Sequence, residues 1–205
     1  MKRSFAYIIL SLLLPLLASA KTPSASDRRF TFGAEWGCSA GFFSGYHVNY
    51  FSPEGWRVDE RHNEFGYTDN GEFSLFAGYD IGKDWNIALY LGYTGIADEG
   101  YCLPVSVRGT RYFKENPQGD RWLTFVDLGS GLMLRRHPSE ILTGEIGGGY
   151  RFSMNRKMNL DLLAGLKAMY SHKEIIYGNQ EISHDRINRN NSYCCALSVS
   201  ISLSF

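Results

Sequence analysis

The chain has 205 residues, and its 21 basic side chains balance its 21 acidic ones. A balanced charge argues against nucleic acid as a partner, because surfaces that bind nucleic acid carry an excess of Lys and Arg. The 22 glycines and the 15% aromatic content favour a chain rich in strands, since both recur inside segments of alternating polarity.

The first twenty residues predict a secretory signal peptide. Lys2 and Arg3 give a positive start, a short apolar run follows, and the small residues Ala18 and Ala20 form the cleavage site. The apolar run is too short to cross a membrane as a helix, which needs about 20 residues. We therefore expect a signal peptide at residues 1–20, a short lead at 21–28 and a single exported domain at 29–205.

Eight segments of alternating polarity follow the lead. A period of two is the period of a β-strand whose two faces meet different surroundings. Polar stretches separate the segments, and the two longest, residues 47–70 and 172–191, are predicted to be loops. The predicted strands cover residues 30–46, 71–81, 85–96, 103–113, 121–134, 141–152, 158–171 and 192–205.

The last segment has the clearest alternation. One face carries aromatic and aliphatic residues, and the other carries small residues, among them a row of serines, which suits a narrow polar lumen backed by lipid. The chain ends on an aromatic residue, and this terminus resembles the C-terminal recognition strand of outer-membrane β-barrel proteins. The resemblance implies an assembly signal, read by the outer-membrane assembly machinery, at Val199, Ile201, Leu203 and Phe205.

The connections between the segments fall into two classes. The connections after the second, fourth and sixth segments are short. Those after the first and the seventh segments are long. With an even strand number, this plan resembles the small OmpX/OmpA-type family of bacterial outer-membrane proteins. The resemblance implies an all-β fold, an eight-stranded antiparallel up-and-down transmembrane barrel, with extracellular loops and periplasmic termini. A soluble barrel of lipocalin type, with an apolar interior and a charged exterior, is the alternative.

The face that carries the small residues also carries the charged ones. The interior of an eight-stranded barrel is just wide enough for side chains to fill, and unpaired charge there is costly. We therefore expect a plug of ion pairs that seals the lumen, with a narrow path for protons or ions as the alternative. The predicted plug consists of Glu35, Glu72, Asp80, Arg108, Asp127, Glu145, Arg151, Asp161 and Lys167.

The five histidines and the adjacent serines bear on catalysis. The histidines fall at the long-loop end without the spacing of metal ligands, so neither a metal nor a cofactor is expected. A lipid A-modifying enzyme, either an acyl hydrolase or an acyltransferase, is the alternative function. Its candidate nucleophiles and bases are the pairs Ser171-His172 and Ser183-His184. Neighbouring residues on a strand point to opposite faces, so Ser171 and His172 could not easily act together. This favours a structural or adhesive protein over an enzyme.

The predicted loops carry basic residues that can meet lipid phosphates: Arg57, Arg61, Arg135, Arg136, Lys173, Arg186 and Arg189. The expected partners are outer-membrane lipid and lipopolysaccharide, with an extracellular protein or glycan of unknown identity. A hydrated loop crown with no dedicated ligand remains open. Export permits disulfides, and a bond between Cys102 and Cys194 is one alternative, although small apolar fillers are the favoured interpretation of the cysteines.

Overall fold

The computed structural model describes residues 29–95, 100–113, 119–134, 140–155, 158–172, 175–178 and 180–205. The predicted signal peptide and lead lie outside these residues. Within them, no helix has the length and apolar character needed to cross a membrane. The strands are β1 (Phe30–Phe51), β2 (Arg57–Glu64), β3 (Thr68–Ile81), β4 (Trp85–Gly95), β5 (Tyr101–Phe113), β6 (Arg121–Met133), β7 (Glu140–Asn155), β8 (Met158–Ser171), β9 (Ile176–Tyr177), β10 (Gln180–Glu181) and β11 (Ile187–Ser204).

Eight of the described strands close into an antiparallel barrel, as the sequence predicts. The strands pair in the order β11, β8, β7, β6, β5, β4, β3 and β1, and β11 then pairs with β1. Phe32 and Phe205 exchange two backbone hydrogen bonds at 2.8 and 3.2 Å, so the last residue of the chain fastens the seam. Closure leaves the barrel without an open edge, which is the condition for crossing a bilayer as strands.

The two faces of the barrel wall differ as the alternation predicts. Glu35, Arg108 and Asp127 lie inside and are nearly inaccessible to solvent. Because the exterior is apolar and charge lies within, the barrel is not of the lipocalin type. Large apolar side chains point outward from every strand of the wall, among them Trp36, Leu75, Leu91, Val107, Leu128, Ile146, Leu166, Val199 and Ile201.

The prediction that the two long stretches are loops is wrong: residues 47–70 are mostly strand, and residues 172–191 contain β9, β10 and the start of β11. β1 runs on to Phe51, and its last part pairs with β2 on one edge and with the start of β11 on the other. These strands form a three-stranded sheet that projects beyond the barrel at the long-loop end. We call residues 44–64, 175–178 and 180–192 the crown. The sequence of β2 is almost entirely polar, so no hydrophobic period marks it as a strand.

A β-bulge at Phe42 separates the two parts of β1. Gly41 pairs with Ala196 and Phe43 with Cys195, so Phe42 is an extra residue in β1. An extra residue reverses which side chains face which side of a strand. Even-numbered residues of β1 therefore face outward below the bulge, whereas odd-numbered residues such as His47 face outward above it.

Candidate functional site

The centre of the lumen is organised around Arg108. Its guanidinium donates to both carboxylate oxygens of Glu35 at 2.6 and 3.3 Å and to Asp127 at 3.0 Å. The rings of Tyr90 and Phe125 flank it, with centroids 4.2 and 4.6 Å from the guanidinium carbon. The arginine is thus paired with two carboxylates and flanked by two rings at the middle of the barrel.

Two further ion pairs lie on either side of this centre. Towards the short-turn end, Arg151 binds Asp161 through two hydrogen bonds of 2.7 and 2.6 Å. Towards the crown, the Lys167 ammonium lies 2.7 Å from a carboxylate oxygen of Glu72. All four side chains are largely buried, and their pairing offsets the cost of removing charge from water.

The remaining two predicted plug residues are held by neutral donors. The Asn86 amide donates to Asp80 at 2.7 Å, and the Ser198 hydroxyl donates to Glu145 at 2.6 Å. The structure thus brings all nine predicted charged residues into one lumen. Direct ion pairs join seven of them, and hydrogen bonds hold the other two.

Sequence reasoning missed several residues that also fill the lumen. Arg121 faces inward, lies over the Tyr112 ring at 3.9 Å and donates to the carbonyl of Lys83 at 3.2 Å. Two buried apolar clusters escaped notice because β6 carries apolar residues on both faces, which hides its period. The first lies between Arg151 and Arg108, and the second lies at the crown end of the barrel. They consist of Tyr112, Leu123, Phe125 and Leu163, and of Cys102, Met133, Ile141, Met169 and Cys194.

The cysteines contribute to packing in this structure. All four lie among the described residues and are free thiols. Cys102 and Cys194 are both buried in the apolar cluster at the crown end, where they act as small apolar fillers.

The crown has a small hydrophobic core of its own. Val48 and Tyr50, on the inward face of β1, pack against Ile175 and Ile182 at the base of the β9–β10 hairpin. The Ile182 amide donates to the Ile175 carbonyl at 3.0 Å, which closes the hairpin. Burial, reinforced by the nearby Glu60 carboxylate, raises the pKa of Tyr50. The crown is therefore a folded element.

The outward face of the crown carries a polar cluster centred on His47. Its Nε2 lies 2.9 Å from Asp59, and its Nδ1 lies 3.4 Å from Arg61 and 3.5 Å from Arg189. Guanidinium groups only donate, so Nδ1 accepts and Nε2 carries the hydrogen given to Asp59. This bond, aided by a hydrogen bond from Asn49, lowers the pKa of Asp59.

Of the two Ser-His pairs considered for catalysis, the described one, Ser171 with His172, is not arranged as a nucleophile with its base. Ser171 is buried on the lumen side, whereas His172 is exposed and packs edge-on against Tyr170 at 5.6 Å. Ser183 hydrogen-bonds Asp185 and lowers its pKa. The side chain of His184 lies outside the described residues, as do Arg135, Arg136 and Lys173.

Metal ligands show no grouping either. Among the side chains that the structure describes, no three His, Cys, Asp or Glu residues come together as a metal site.

Comparison with known proteins gives matches in structure alone. No model of a protein family matches the chain, and no curated protein sequence matches it. Neisserial surface protein A is 14% identical, over 86% of this chain and 97% of that chain, with a TM-score of 0.47. OprG of Pseudomonas aeruginosa is 9% identical over 85% of this chain and 93% of that chain, with a TM-score of 0.48. The protease OmpT of Escherichia coli is 8% identical over 91% of this chain and 99% of that chain, with a TM-score of 0.40.

These likenesses concern the fold, and the names span a surface protein, an outer-membrane protein and a protease. The fold class itself follows from the strand pairing and the apolar exterior of this chain. A closed barrel of eight antiparallel strands with these two properties is an outer-membrane β-barrel.

Proposed function

We propose that this protein is a sealed outer-membrane barrel whose crown faces the cell exterior and binds a partner there. The short turns and both termini then lie in the periplasm. The filled lumen supports a structural or interacting role over conduction. The separation of Ser171 from His172 on opposite faces supports it over catalysis.

The observation that carries this proposal is the hydrophobic core of the crown. Fixing the backbone of one residue costs about 1–2 kcal/mol, so a connecting loop gains little from being ordered. Here Val48, Tyr50, Ile175 and Ile182 bury apolar surface that offsets this cost. A surface held in one shape loses less freedom on binding than a mobile loop, which favours recognition.

A crown-truncated variant tests the proposal. Residues 47–64 and 173–190 are replaced by short turns, and the variant and the natural protein are displayed on the same bacterial strain. Both should migrate differently in boiled and unboiled samples, because the barrel remains. Cells with the natural protein should adhere to a member of an array of glycans and extracellular proteins, and the truncated variant should not. Identical binding profiles from two folded proteins would contradict the proposal.

The same proposal predicts no effect on the chemistry of the membrane. Mass spectra of lipid A from cells with and without the protein should show the same acyl pattern. A changed pattern would point to the lipid A-modifying alternative and to Ser171, His172, Ser183 and His184.

A further inference from the structure

Residue types change along the outward face of the crown and of the barrel wall just below it. A row of aromatic residues lies on that wall: the Phe43 ring lies 4.9 Å from that of Phe65 and 5.8 Å from that of Tyr193. Along β2, the amide Asn63 comes next and accepts a hydrogen bond from the Tyr193 hydroxyl at 2.5 Å. Along β11, the amide Asn191 follows Tyr193, two residues further along the sheet than Asn63, and accepts a hydrogen bond from Tyr170 at 2.7 Å. Rings therefore stand below and hydrogen-bonding groups above.

The next outward residue of each strand is basic: Arg61 follows Asn63 in β2, and Arg189 follows Asn191 in β11. Arg61 and Arg189 are exposed, and both reach the same Nδ1 atom of His47. Among the described residues on this face, Asp59 is the one carboxylate, and His47 and Asn49 already engage it. Two guanidinium groups that meet on one neutral acceptor repel each other, and an anion bound between them would relieve the repulsion.

The height of the two arginines above the aromatic row indicates where such an anion comes from. Aromatic belts of barrels mark the boundary between hydrocarbon and headgroups. A strand rises about 3.4 Å per residue, so Arg189 lies roughly 14 Å along β11 from Tyr193, and less in height because the strands tilt. The two guanidinium groups therefore lie at the level of the headgroups.

We propose that Arg61 and Arg189 bind a phosphate group of a phosphorylated glycolipid in the outer leaflet, an inference that rests on the orientation given under the proposed function. Arg pairs with phosphate through two parallel hydrogen bonds, and the Asn63 and Asn191 amides directly below can accept or donate to the sugar. The aromatic row beneath the amides packs against the acyl chains. A free anion would gain nothing from that row, so the site is assigned to a lipid.

A binding measurement with a matched control tests the site. The refolded protein in nanodiscs of neutral phospholipid is titrated with diphosphorylated lipid A and with lipid A stripped of both phosphates. The test variant is Arg61→Gln with Arg189→Gln. The control is Arg29→Gln with Arg111→Gln, which removes the same charge from exposed residues at the short-turn end. A conservative variant, Arg61→Lys with Arg189→Lys, retains the charge.

The natural protein and the control should bind the phosphorylated lipid at least about tenfold more tightly than the stripped lipid. The Gln variant should lose that preference, and the Lys variant should keep part of it. The site is overturned if the Gln variant binds like the natural protein, or if both lipids bind equally. Inorganic phosphate that displaces the lipid at an equal concentration would overturn the assignment to a lipid.

The heat-dependent gel shift, measured on every variant, separates this inference from the proposed function. Both proposals stand if the folded Gln variant still binds the partner found on the array but no longer prefers phosphorylated lipid A. A protein that binds phosphorylated lipid A no better than stripped lipid A, yet still needs its crown for adhesion, overturns this inference alone.

Discussion

The barrel lumen and the crown use charged residues in opposite ways. In the lumen, Glu35 and Arg108 are enclosed and satisfy each other, whereas in the crown Arg61 and Arg189 are exposed and gather on one face. Both regions share β1, and the bulge at Phe42 decides which side of that strand is polar. Below the bulge, the polar residues of β1 face the lumen, and above it they include His47 on the outward face of the crown.

The difference in burial predicts that charge in the lumen mainly affects stability, and the proposed function assigns a role in binding to charge in the crown. A buried ion whose partner is removed stays buried and uncompensated. An exposed ion whose neighbour is removed is simply hydrated, and such pairs contribute about 0–1 kcal/mol. Substitutions in the two regions should therefore separate stability from binding.

The largest effect is expected from Arg108→Gln. The substitution leaves Glu35 and Asp127 buried without their cation, which should lower the free energy of unfolding by about 3–5 kcal/mol. Arg111→Gln, on the outer face of the same strand, is the matched control and should cost less than about 1 kcal/mol. Urea unfolding of the protein folded into lipid vesicles measures both, and equal losses would refute the contrast between the inside and the outside.

A smaller and local effect is expected from Ile182→Ala. Truncation of a buried isoleucine costs about 2–5 kcal/mol, and here the loss should loosen the crown alone. Trypsin should cut faster after Arg186 and Arg189, while the urea midpoint of the barrel stays unchanged. A drop in that midpoint would show that the crown and the barrel unfold as one unit.

Two neighbouring glycines sharpen the account of lumen packing. A methyl group on Gly147 would meet the Phe125 ring and the Ala164 carbonyl oxygen, whereas on Gly148, which faces outward, the nearest atom is 3.1 Å away. Gly147→Ala should therefore destabilise the barrel by about 1–3 kcal/mol, with less effect from Gly148→Ala. Urea unfolding checks this order, and a reversed order would contradict the packing described for the lumen.

The smallest effect concerns Asp59 and pH. Its pKa is lowered in the folded crown, so its contribution to stability is full above the ordinary Asp pKa of about 3.9. That contribution is lost as the pH falls through the lowered pKa. Amide exchange of residues 44–64 should therefore be faster below about pH 4 than at about pH 5, after correction for the intrinsic rate. Asp59→Asn should lack this step.

Much of the barrel was predictable because each wall strand lies between lipid and a polar lumen, which imposes a period of two. The predicted strand at residues 158–171 matches β8 (Met158–Ser171) residue for residue. The nine charged residues were found for the same reason, since charge on the small-residue face points inward.

The crown was not predictable because it depends on pairing and not on composition. β2 lies in register with β1, as in the pair of Asn49 with Asp59, but carries little hydrophobic signal of its own. The bulge was hidden because Phe42 and Phe43 are both aromatic, so the sequence gives no sign of which residue is extra. The meeting of Arg61 with Arg189, far apart in the chain, requires both of these features.

Conductance across a planar bilayer tests whether the lumen is sealed, as the proposed function requires. Insertion is verified by the heat-dependent gel shift of the same vesicles, and a general porin inserted by the same procedure serves as the positive control. No stepwise current is expected from this protein, because ion pairs and two apolar clusters occupy the lumen. Reproducible current steps from verified, folded protein would contradict this expectation and would make the lumen a channel.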